Sequence, residues 1–205
     1  MLLDHGYAVL LPNVRGSTGY GRAFMESNDI EKRPDALADL VAGHAWLAAQ
    51  PGIDATRIGI MGQSYGGWTV LAAITQHPDL WRAAVDYYGI ADFVTLLRDT
   101  GRWRADHRAR EYGFSDANAA LLARISPIHH VGKVTAPLLV CQGNRDLRVP
   151  MSESEQFVAA MEQHRKTVRY ERFDYAGHGF IRPDHSRRVW QAVAAHFATH
   201  LRRDS

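Results

Sequence analysis

The segment Gly62-Gln63-Ser64-Tyr65-Gly66-Gly67 constrains what this chain can fold into more than any other feature. It directly follows the apolar run at 57–61 and directly precedes an apolar helical stretch at 68–75. Gly-x-Ser-x-Gly alone is common by chance. Between a strand and a helix it describes a tight, strained turn that lifts a serine hydroxyl clear of the backbone. Only small residues let the neighbouring backbone pass that close, which accounts for Gly62 and Gly66. Ser64 then stands at a helix N-terminus, where free N–H groups and the helix dipole favour developing negative charge. The N–H of Tyr65 is placed to be one oxyanion donor.

Short apolar runs at 7–12, 57–61, 83–88, 137–142 and 168–173 read as strands. Most are continuously apolar, which suits a parallel sheet covered on both faces. The last alternates and reads as an edge. Helical patterns fill the gaps. Leu37, Leu40, Val41, Leu47 and Ala48 share a face before Pro51-Gly52. Ser152 with Glu155 forms a capping-box pattern after Pro150. Val189, Trp190, Val193, Ala194, Phe197 and Leu201 line a final helix. Alternation of strand and helix predicts the α/β class, with a mostly parallel sheet of about five strands and helices on both faces. The segment 92–126 is the least regular, with Arg98, Arg102, Arg104, Arg108 and Arg110 set against Asp99, Asp106 and Glu111. It reads first as a solvated, partly helical excursion and second as a substrate-facing cap or docking surface.

A serine hydroxyl becomes a useful nucleophile when a base takes its proton and a carboxylate orients that base. In a parallel α/β sheet such groups sit just beyond the C-terminal ends of strands. Asp146 follows the run at 137–142 through Gly143-Asn144-Arg145. His178 follows the run at 168–173, within Tyr175-Ala176-Gly177-His178-Gly179-Phe180. The order Ser, Asp, His is the one this kind of sheet uses. Asp86 lies inside a strand, Asp92 follows that strand by a longer loop, and Asp174 is too near His178 in sequence. His196 and His200 are four apart but lack the glutamate of a zinc-protease helix, and read as its polar side. His129-His130 has no nameable partners.

The remaining composition excludes more than it suggests. The 205 residues suit one domain, 1–205. A net charge of +2 gives no basic surface for nucleic acid. No run is long enough to span a bilayer, and the first residues do not form a signal peptide. The lone Cys141 precludes an internal disulfide, so a cytoplasmic location is expected. No phosphate loop, dinucleotide fingerprint or metal-ligand spacing is present, so no cofactor and no metal are expected.

Four motifs together, in order along nearly the whole chain, resemble the prolyl oligopeptidase family of serine peptidases. They are Asn13-Val14-Arg15-Gly16-Ser17-Thr18-Gly19-Tyr20-Gly21, the Ser64 motif, Gly143-Asn144-Arg145-Asp146-Leu147-Arg148-Val149-Pro150, and Gly177-His178-Gly179-Phe180. The resemblance implies an α/β-hydrolase fold and hydrolysis of short peptides through an acyl-enzyme. It implies a substrate-carbonyl contact for Arg148 and a second oxyanion donor at Tyr20. Tyr88, Phe93 and Val149 are candidate linings for the pocket that receives the side chain before the scissile bond. Against that family, the β-propeller and the first three strands have no counterpart here, so the domain is expected to be incomplete at its N-terminus. An open sheet edge is the expected result, prone to self-association or pairing with another chain. Two other readings stay open: an esterase acting on acyl esters, and a weakly active or non-catalytic remnant that binds peptides or a partner chain.

Overall fold

β1 (Gly59–Gln63), β2 (Ala83–Tyr87), β3 (Leu138–Gly143) and β4 (Val168–Phe173) form one parallel sheet in the order β1-β2-β3-β4. The structure, a computed structural model, describes residues 2–113 and 117–201. β2 and β3 are buried along their whole length, which suits their mostly apolar sequences, each interrupted by one buried polar residue, Asp86 and Gln142. β4 is the edge of the sheet and is less covered than its neighbours, with Arg169 and Arg172 exposed and only Phe173 fully buried.

Two helices precede the sheet, α1 (Arg22–Met25) and α2 (Asp35–Ala48). α3 (Tyr65–Gln76) connects β1 to β2. α4 (Phe93–Asp99), α5 (Arg102–Tyr112) and α6 (Ala119–Ile125) lie between β2 and β3. α7 (Met151–Gln163) joins β3 to β4, and α8 (Pro183–His200) follows β4. Val70, Ile74, Phe157 and Met161 of α3 and α7 pack against Ala84, Leu138 and Val140 on one face of the sheet. Val189, Val193 and Phe197 of α8 pack against Ala83, Val85 and Leu139 on the other. Among the described residues no helix is long and apolar enough to cross a membrane.

The segment 92–126 is more than a solvated excursion. Phe93, Leu96, Tyr112, Leu121, Leu122 and Ile125 bury against Trp68 of α3, whose indole N–H donates to the Ile125 carbonyl at 2.9 Å. Arg33 is buried here too, its guanidinium 4.4 Å from the Tyr112 ring centre and 5.2 Å from that of Tyr65. The side chains of Arg102, Asp106 and Arg110, and residues 114–116, lie outside the described residues.

Three expectations need correction. Among the described residues the sheet has four strands, because residues 7–12 form no strand and pair with none. Residues 7–12 and 57–63 instead line a groove of about 690 Å³. The capping box at Ser152 does not form: α7 starts at Met151 after Pro150, with no side-chain cap. Glu153 turns inward instead and is buried. His196 is not on a polar face: it is buried, and its Nε2 lies 3.2 Å from the Pro137 carbonyl. Burial pushes its pKa down to about 4.

Candidate active site

Ser64 sits between the end of β1 and the first turn of α3 with φ 57° and ψ −117°. A non-glycine residue holds that conformation only when its surroundings impose it. Here the surroundings are backbone: a Cβ on Gly62 would lie 2.2 Å from the Gly66 carbonyl oxygen. The Ser64 N–H donates to the Tyr87 carbonyl at 2.9 Å, tying the turn to the end of β2. As the first residue of α3, Tyr65 has an N–H with no partner inside the helix. Its ring is steadied by Asn28, whose Nδ2 donates to the Tyr65 hydroxyl at 2.9 Å.

Three side chains from three strand ends converge. His178 Nε2 lies 2.8 Å from Ser64 Oγ, and His178 Nδ1 lies 2.7 Å from Asp146 Oδ2. Asp146 is buried, and its other oxygen, Oδ1, accepts the N–H groups of Arg148 at 2.8 Å and Val149 at 3.0 Å. Oδ2 is thereby left to the imidazole, and the proton on Nδ1 follows from that contact.

The loops that carry Asp146 and His178 are knitted together. The Arg145 N–H donates to the Ala176 carbonyl at 2.9 Å. Asn144 receives the Tyr175 N–H at 2.8 Å on Oδ1 and donates from Nδ2 to Asp174 at 3.0 Å. A Cβ on Gly143 would lie 2.4 Å from the Ala176 carbonyl oxygen, so the two loops cross at a glycine. Below them, buried Gln142 donates to the Val149 carbonyl at 3.2 Å and accepts from Ser154 Oγ at 2.9 Å. The Asp146 loop is thus held from α7 as well as from β4.

Tyr88 does something its sequence position did not suggest. It leaves β2 with φ 42°, and its ring centre is 4.5 Å from that of His178. Its hydroxyl donates to Gln63 Oε1 at 2.9 Å, beside Ser64. Burial, then the nearby Asp146 and Asp86, push its pKa up to about 12, so it is a donor at neutral pH. Phe180 packs behind it and against Phe173, completing an aromatic wall for the imidazole. The only signals for this in the sequence were a Tyr at a strand end and a Phe two residues after the His.

The other candidates fall in different places. Val149 is buried in the cluster that includes Phe93, with Tyr65 at its margin. Arg148 is exposed beside Asp146, and its carbonyl accepts from Thr100 Oγ1 at 3.0 Å. Tyr20 is 58% exposed, its hydroxyl accepts from Asn13 Nδ2 at 2.6 Å, and its ring packs on Phe24. It makes no hydrogen bond to Ser64, Asp146 or His178. Among the described residues no group of three or more His, Cys, Asp or Glu is placed to hold a metal ion.

The sequence pattern of the prolyl oligopeptidase family matches residues 1–204. This chain belongs to that family. It is 35% identical over 201 residues to dipeptidyl aminopeptidase BIII of Pseudoxanthomonas mexicana, covering 96% of this chain and 29% of that protein. The acylamino-acid-releasing enzyme of Homo sapiens is 29% identical over 177 residues, covering 82% of this chain and 24% of the enzyme. Among solved structures, a puromycin-hydrolyzing peptidase of Mycobacterium tuberculosis superposes with a TM-score of 0.87 at 32% identity, covering 92% of this chain and 29% of that one. This family member therefore spans less than a third of the length of the relatives it matches.

Proposed function

We propose that this chain carries the catalytic centre of a serine peptidase that hydrolyses short peptides through an acyl-enzyme. The observation that carries the reading is the unbroken relay from Ser64 Oγ through His178 to Asp146, with Ser64 held in a left-handed turn at the start of α3. His178 Nε2 takes the Oγ proton as Oγ attacks the scissile carbonyl carbon. The Tyr65 N–H donates to the oxyanion that forms. When the C–N bond breaks, His178 returns the proton to the leaving amine, and water then repeats the cycle on the acyl-enzyme. Asp146 keeps the ring in the correct tautomer and stabilises the imidazolium. Arg148 is an exposed cation two residues past Asp146, and in this reading it receives a substrate carbonyl. The relatives' names, which refer to dipeptides, acylated amino acids and puromycin, fit amide substrates of small size. The unpaired, buried Cys141 fits a reducing compartment, and we place the chain in the cytoplasm.

The test has two parts. A fluorophosphonate probe labels the wild type and leaves Ser64→Ala unlabelled. Turnover of aminoacyl-arylamides then exceeds that of short acyl esters of matched leaving-group reactivity. An unlabelled but folded wild type defeats the reading, and a preference for esters turns it into that of an esterase.

A further inference from the structure

Asp86 is a carboxyl in the middle of the sheet. It is 1% exposed, and its register partners are Gly62 of β1 and Val140 of β3. The first turn of α3 and the segment leaving β2 close over it. A Cβ added at Gly67 or at Gly89 would come within 2.3 Å of Asp86 Oδ1, and one at Gly67 would also lie 2.6 Å from the Gly89 Cα. Two backbone segments therefore meet on this carboxyl with no room for a methyl group on either.

The electrostatics around it are one-sided. Oδ1 has no hydrogen-bond partner, while the Gly89 N–H is directed at the carboxyl. The titratable groups near enough to interact with it are Tyr88 from its own segment, Cys141 of β3 and Tyr170 of β4. α3 carries no charged residue. None of these groups supplies a counter-charge, and a buried carboxylate with a bare oxygen is far costlier than a buried neutral acid. Burial accordingly pushes the Asp86 pKa up to about 8.

The joint that Asp86 fills is the one on which the site is mounted. On one side are Gln63, Ser64 and the N–H of Tyr65. On the other are Tyr87, whose carbonyl accepts the Ser64 N–H, and Tyr88, which backs His178 and bonds Gln63. We propose that Asp86 is a positioning residue, an uncharged carboxylic acid that seats the first turn of α3 on residues 87–89 and so keeps Ser64 and His178 in line. It touches no substrate. Its ionisation places a negative charge beneath the helix start where the oxyanion forms, and draws water toward a joint packed for none. The proposal rests on Ser64 being the nucleophile.

The experiment compares rates of fluorophosphonate labelling of the intact natural polypeptide, wild type and Asp86→Asn, across pH. Asparagine keeps the shape and cannot ionise. The expected ratio of variant to wild type is near one at neutral pH and rises to about threefold or more above about pH 9. A ratio that stays flat overturns the proposal, as does a folded variant at least about tenfold slower at neutral pH. Should the variant fail to fold, carboxyl-carbon NMR of the wild type decides: a protonated Asp86 at neutral pH, titrating as labelling weakens, supports the proposal, and an ionised one overturns it. A folded wild type that labels at no pH defeats the nucleophile reading and this one with it. Labelling with a flat ratio defeats Asp86 alone.

Discussion

At the scale of single residues, the geometry around Ser64 separates positions that look alike in sequence. Gly62 and Gly66 both flank the motif, yet a Cβ on Gly62 collides with the Gly66 carbonyl at 2.2 Å, while one on Gly66 meets only Thr69 Oγ1 at 4.0 Å. Gly62→Ala is therefore expected to abolish fluorophosphonate labelling, and Gly66→Ala to retain it. Asp146→Asn leaves the loop bonds from Arg148 and Val149 in place on Oδ1 but presents an amide where His178 needs an acceptor. Turnover should fall by about 10⁴-fold with the fold intact, measured by steady-state kinetics alongside circular dichroism. Tyr20→Phe should change turnover by no more than about twofold, since its hydroxyl is engaged by Asn13 at an exposed position. A larger loss would restore Tyr20 as an oxyanion donor.

At the scale of elements, what was legible in the sequence was what depends on local pattern. β2 and β3 were readable because burial on both faces leaves mostly apolar runs, each broken by a single polar residue. The convergence of Asp146 and His178 on Ser64 was readable because the positions just past strand ends gather at one end of such a sheet. The start of α7 was misread because a capping box and an inward-facing glutamate use the same letters. Only packing reveals that Glu153 accepts the N–H groups of Ala91 at 3.0 Å and Asp92 at 2.8 Å, and the Thr95 hydroxyl. That buried carboxyl fixes α4 to α7, with its pKa pushed up to about 7 by burial against the pull of those hydrogen bonds. A raised folded-state pKa means the folded chain binds the proton more tightly than the unfolded one. The stability from this group is fully present below about pH 4.5 and is lost as pH rises through about 7. Glu153→Gln should remove that component of the slope in chemical-denaturation stability against pH, and should cost about 1–2 kcal/mol by weakening the acceptor set. An unchanged slope would assign the pH dependence elsewhere. The aromatic wall behind His178 was invisible for a related reason: Tyr88 reaches it only because the backbone turns left-handed at the end of β2.

At the scale of the whole molecule, the decisive feature is the side of β1 that faces no strand. Among the described residues β1 pairs with β2 alone, and the stretch 7–12 lines the same groove of about 690 Å³. That stretch is Tyr-Ala-Val-Leu-Leu-Pro, with Val9 46% and Leu11 84% exposed. The free edge of β1 beside the exposed aliphatic side chains of Val9 and Leu11 forms a template for another extended chain. The same groove borders Gln63, next to Ser64. The chain of residues 1–205 by itself should therefore self-associate as concentration rises and label slowly. The double variant Val9→Lys, Leu11→Lys places charge on the template without touching the relay. Sedimentation velocity should show it shifted toward monomer, with per-molecule labelling of Ser64 preserved. If the wild type is monomeric at high concentration, or the lysines leave association unchanged, the β1 edge is not what joins the copies.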